Sequence, residues 1–65
     1  MKITVEGMTC GHCVRAITEA LRGLDPGAQV EVDLANDQVD FRGDADATAV
    51  RGAIEEAGYV VVSID

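Results

Sequence analysis

The chain switches between two hydrophobic periods in a fixed order, and that order permits very few folds. Ile3 and Val5 alternate with Lys2, Thr4 and Glu6, the period of two expected for a strand with one wet face. Val14, Ile17, Leu21 and Leu24 then recur at intervals of three and four, with Ala16 and Ala20 beside them and Arg15, Glu19 and Arg22 elsewhere around the turn; this predicts an amphipathic helix. It must stop at Asp25-Pro26-Gly27, because proline cannot continue a helix and pushes the residue before it out of helical geometry. Val30, Val32 and Leu34 alternate with Gln29, Glu31 and Asp33; Ala35-Asn36-Asp37 supplies turn residues; Val39 and Phe41 alternate with Gln38, Asp40 and Arg42. Those segments predict a hairpin. Gly43 and Asp44 break the pattern, and Asp46 or a neighbour caps a second helix whose apolar side runs through Ala47, Val50, Ile54 and Ala57, ending at Gly58. Tyr59 to Ile64 reads as a last strand, with Val60, Val62 and Ile64 expected on one face and Tyr59, Val61 and Ser63 on the other.

The order βαββαβ is one copy of the split βαβ arrangement. The expected class is α+β, a ferredoxin-like sandwich in which two helices cover one face of a four-stranded antiparallel sheet and leave the other face to water. A chain of 65 residues makes one domain, residues 1–65, and buries only roughly 60% of its unfolded surface. The expected core is Ile3, Val5, Ile17, Leu21, Val30, Val32, Val39, Phe41, Val50, Ile54 and Val62. It is aliphatic, since Phe41 and Tyr59 are the only aromatic residues.

The formal charge of -7 argues against nucleic acid and against docking on an anionic membrane. It is unevenly spread: residues 1–24 carry three cations against two acids, and residues 25–65 carry two arginines against ten acids. No run approaches the roughly 18 apolar residues of a membrane span, and MKITVEGMTC lacks the apolar stretch of a secretory signal. The chain therefore reads as cytoplasmic, and a monomer is expected. Cytoplasmic cysteines are normally kept as thiols, which favours metal binding or redox chemistry over a structural disulfide.

Both cysteines, the only histidine and one of the two methionines fall within the seven residues Gly7 to Cys13. Placed on the expected fold, Cys10 lies in the loop after the first strand and Cys13 in the first turn of the first helix. Unpaired N–H groups and the helix dipole there favour the thiolate, the form that binds metal or attacks, and an exposed loop would let a partner reach both sulfurs. Gly7 and Gly11 allow the backbone such a loop requires. Two soft thiolates in a small loop suit an ion content with low coordination, namely Cu(I). Zinc fits less well, because a structural zinc site takes four ligands and the chain offers two cysteines and one histidine.

The segment Gly7-Met8-Thr9-Cys10-Gly11-His12-Cys13, on the loop opening the first helix of a βαββαβ chain, resembles the heavy-metal-associated domain family. Within it the chain is most similar to small bacterial copper chaperones and to the N-terminal modules of copper-transporting P-type ATPases. The resemblance extends over essentially the whole chain, including Ala57-Gly58-Tyr59 before the last strand. It implies a carrier and not an enzyme: Cys10 and Cys13 would bind Cu(I) as a near-linear bis-thiolate. They would pass it by ligand exchange to the metal-binding domain of a copper-transporting ATPase or to a copper-responsive regulator, with a copper-bridged dimer as a further form. The ends of the chain suit a free-standing protein and equally a module cut from such an ATPase.

Rival readings attach to the same residues. A thiol-disulfide oxidoreductase also places Cys-x-x-Cys at a helix start, but its architecture needs more chain than this; two inert cysteines would want an apolar bed, and their sequence neighbours are polar or glycine. Met8 reads as a flexible core filler before a thioether ligand. His12 reads as a solvated bystander before a third ligand or a pH-responsive group. Tyr59 falls beside the loop, where it either shields the end of the core or, as the resemblance implies, shields and tunes a copper site. Thr9 stands where zinc-pumping relatives often carry an aspartate, which favours copper over zinc; mercury stays open on softness alone. Arg15 and Arg22 share a helix face near the loop and read as solvated arginines, or as part of a docking face for an acidic partner.

Overall fold

The computed structural model describes residues 1–8 and 11–65. Six elements follow in the expected order: β1 (Lys2–Glu6), α1 (Gly11–Leu24), β2 (Gln29–Asp33), β3 (Gln38–Arg42), α2 (Ala47–Glu56) and β4 (Val60–Ile64). The strands form one antiparallel sheet in the order β2-β3-β1-β4. The first three strands show their alternation as burial. In β1, Ile3 and Val5 are fully buried while Lys2 and Glu6 are exposed; in β3, Val39 and Phe41 are buried. These side chains meet Ile17 and Leu21 of α1 and Val50 and Ile54 of α2 in one core cluster. This is the α+β sandwich expected from the sequence, with both helices on the apolar side of the sheet.

Local chemistry sets the ends of the elements. The helix α1 stops at Leu24, where Asp25 N–H still donates to Leu21 O (2.9 Å) before Pro26. The Asp46 carboxylate caps α2 by accepting from Ala49 N–H at 2.8 Å, a contact typically contributing about 1 kcal/mol. Ala47 and Ala57, expected on the apolar side of this helix, lie at its ends and are exposed. The β2–β3 hairpin closes one residue earlier than the alternation suggests: β2 ends at Asp33, and Leu34 enters the turn, 38% exposed. There Asn36 donates through its side-chain amide (2.8 Å) and its backbone N–H (3.3 Å) to the Asp33 carboxylate. The side-chain bond chiefly holds that carboxyl below its ordinary value. Leu34 therefore joins the Asx-bonded turn and leaves the ladder.

The last strand departs from expectation in its facing. Val61 is 8% exposed and joins the core, whereas Val62, expected inside, is 53% exposed and Val60 is 57% exposed. The cause is a β-bulge: Thr4 pairs with Ser63 and Val5 with Val61, leaving Val62 as an extra residue. One inserted residue reverses the parity of everything before it in the strand. Val61 and Ile64, three apart, therefore share the core side, and so does Tyr59, which is half-buried and packs against the core. The core also takes in Met8, Cys13 and Ala28, while Val30 and Val32 pack against its edge.

A tight junction lies where α1 leads into β2. The Asp25 carboxylate accepts from Gly27 N–H (3.3 Å) and from Asp44 N–H (2.7 Å), tying two loops together. Gly43 passes so closely that a Cβ there would stand 2.7 Å from Ala28 Cβ and 3.0 Å from Phe41 Cζ, and would also press on the Asp25 carboxylate. Gly43→Ala is therefore expected to destabilise by about 1–3 kcal/mol through overpacking. In a thermal melt followed by circular dichroism, the midpoint should fall by roughly 4–8 °C for each kcal/mol. An unchanged midpoint would show that this junction yields without cost.

Candidate metal centre

The loop leaving β1 turns at once at Gly7, whose φ of 93° is a conformation that side chains rarely adopt. That turn sends Met8 inward, 4% exposed, into the core cluster. The reading of Met8 as a core filler therefore stands. Thr9 and Cys10 lie outside the described residues. The chain resumes at Gly11 as the first residue of α1, with His12 exposed and Cys13 in the first helical turn. No acidic residue occupies this turn, so nothing there opposes the preference of the helix start for negative charge.

Cys13 is more enclosed than a thiol in an open loop. It is 8% exposed, belongs to the core cluster, and its Sγ donates to the Gly7 carbonyl at 3.6 Å. An exposed, partner-accessible Cys13 with no apolar bed is thus corrected. The apolar bed of Cys13 comes from the tertiary neighbourhood, since it shares the buried core cluster with Met8 and Ile17. The Gly7 carbonyl as a partner of Cys13 was not foreseen; the only signal for it is a glycine placed immediately after a strand.

Tyr59 lies in the α2–β4 connection, beside that same turn. Its N–H donates to Ile54 O (3.3 Å), and Gly58 N–H to Glu55 O (3.0 Å), which fixes the connection against the end of α2. A Cβ on Gly7 would stand 3.7 Å from Tyr59 Cδ1, so the ring lies in near contact with the turn. Of the expected site residues, the structure brings together Met8, Cys13 and Tyr59 around Gly7 and leaves His12 in solvent. On the outer face of α1, Arg15 is 79% exposed and 4.0 Å from Glu19, and Arg22 is also exposed. A pair this open to solvent contributes little stability.

The chain as a whole has counterparts among known proteins. The family model for the heavy-metal-associated domain matches residues 2–60. The copper chaperone CopZ of Staphylococcus aureus (strain bovine RF122 / ET3-1) is 44% identical over 63 residues, covering 92% of this chain and 93% of that protein. Among solved structures, the copper chaperone Atx1 from Synechocystis PCC6803 superposes with a TM-score of 0.91 at 33% identity, over 94% of this chain and 97% of that one. A CopZ metallochaperone superposes with a TM-score of 0.88 at 39% identity, over 95% of this chain and 97% of its own. The chain belongs to the heavy-metal-associated domain family.

Proposed function

We propose that residues 1–65 act as one heavy-metal-associated domain that carries a single Cu(I) between Cys10 and Cys13 and catalyses no reaction. The observation that carries this reading is the placement of Cys13 in the first turn of α1, three residues after Cys10, in a chain 44% identical to a protein named as a copper chaperone. Two thiolates form a soft, low-coordinate donor set that matches monovalent copper better than zinc.

Delivery would proceed by ligand exchange. A thiolate of the partner adds to the copper, one sulfur of this chain leaves and takes up a proton, and the second exchange completes the transfer without free ion. The proposed partners are the metal-binding domain of a copper-transporting ATPase or a copper-responsive regulator. Arg15 and Arg22 on the exposed face of α1 would meet acidic side chains there, which favours encounter in a manner that salt weakens. The proposed setting is the cytoplasm, where thiols stay reduced. Among the described residues, no helix is long and apolar enough to cross a membrane.

The test is an anaerobic titration of the reduced protein with Cu(I) against a chromogenic Cu(I) chelator, with Zn(II) run in parallel. One copper retained per chain, with weaker zinc binding, is the expected result. Preference for zinc, or no copper retained, would overturn the reading.

A further inference from the structure

The turn at Gly7 does more than redirect the chain. In a regular extended strand, the carbonyl of the residue after Glu6 would continue the alternation of β1; with φ at 93° the peptide is turned, and the Gly7 carbonyl accepts from Cys13 Sγ at 3.6 Å. The same residue lies in near contact with Tyr59, 3.7 Å from a Cβ built on Gly7. Tyr59 faces this side because the bulge at Val62 reverses the parity of β4. Ring, glycine turn and thiol thus lie side by side. Cys13 is 8% exposed.

We infer that Gly7 is a positioning residue for Cys13: its left-handed turn aims its carbonyl at the thiol and seats the sulfur against the core. The inference rests on the reading of Cys13 as a copper ligand, and it names what holds that ligand in place. Any L-residue at position 7 adopts this φ only with strain, so a substitution that relaxes the backbone takes the carbonyl away from Cys13. A D-residue accepts the same φ without strain.

The experiment uses the full chain with Cys10→Ser, so that Cys13 supplies the only thiol, and reads the S–H stretching band by Raman spectroscopy. In the folded protein the band should lie lower in frequency than in the chain unfolded by denaturant, as a hydrogen-bonded thiol requires. Adding Gly7→Ala should move it toward the unfolded position and speed alkylation of Cys13 by iodoacetamide roughly fivefold or more, the effect of losing one hydrogen bond. The D-alanine counterpart, assembled by ligating a synthetic segment 1–12 to residues 13–65 at Cys13, should keep both the native band and the slow alkylation. Equal bands in folded and unfolded protein, or a D-alanine variant behaving like the L-variant, would overturn the inference. The first comparison decides even where Gly7→Ala fails to fold. Copper retention by the unmodified chain is measured separately. A native S–H signature without copper retention sinks the carrier reading alone, and copper retention with an unshifted band sinks the positioning of Cys13 alone.

Discussion

Replacing Cys10 and Cys13 together by serine is expected to abolish Cu(I) retention against a chelator while the fold persists. Serine offers copper a hard, neutral hydroxyl in place of a soft thiolate, so the loss is of binding itself, several orders of magnitude in affinity. The fold persists because the bulk of the core is built from other side chains. Its largest fully buried side chains are Phe41, Ile3, Ile17, Leu21, Ile54, Val5, Val39 and Val50. At position 13 the new hydroxyl would sit where the thiol now meets the Gly7 carbonyl, so it has a hydrogen-bond acceptor and avoids the full cost of a buried unsatisfied group. The measurement pairs the chelator titration with a circular-dichroism melt. Copper still retained by the double variant would remove the cysteines from the site, and a lost cooperative melt would make them structural.

Phe41→Ala is the second large effect, and it acts on the core. Phe41 is 1% exposed and is the only phenylalanine of the chain; its ring lies beside Gly43, where an added Cβ would stand 3.0 Å from Phe41 Cζ. Truncating a buried phenylalanine typically costs about 3–5 kcal/mol. At about 0.05–0.15 kcal/mol per residue, a chain of this size has roughly 3–10 kcal/mol in total. The metal-free variant should therefore be largely unfolded, or melt tens of degrees lower. Copper binding to the native state alone adds about 2.7 kcal/mol when free ligand is at a hundred times its Kd. The copper-loaded variant should thus recover part of its cooperative melt, and chelation should remove the gain. A metal-free variant as stable as the parent would show that the core does not depend on this ring, and no gain with copper would count against a site formed only in the native fold.

Both predictions join features that the sequence shows to features that it hides. The elements were legible because each carries a clean period: β1 and β3 alternate strictly, and α1 has Ile17 and Leu21 one helical turn apart with Pro26 to end it. The cap at Asp46 was legible because capping is a contact with a residue three positions on. The facing of β4 was not. Val60, Val61 and Val62 are identical in hydrophobicity, so the choice among them belongs to β1, whose Thr4 and Val5 take Ser63 and Val61 as partners and leave Val62 over. Leu34 likewise reads as strand by alternation and enters the turn because Asn36 and Asp33 bond across it.

At the site the division is equally physical. The sequence by itself determined the order of elements and the kind of donor that the proposed site would offer: two cysteines three apart, the second in the first turn of α1, in a βαββαβ chain, because spacing and side-chain type are local properties. Only the tertiary structure decided what surrounds the sulfur of Cys13. It lies in the core cluster that also holds Met8 and Ile17, and its sulfur donates to a carbonyl six residues back on a turn beside Tyr59. Gly7 and Met8 come from the connection between β1 and α1, Ile17 from α1 itself and Tyr59 from the α2–β4 connection, and only the packing of both helices on one sheet brings that last segment beside the others.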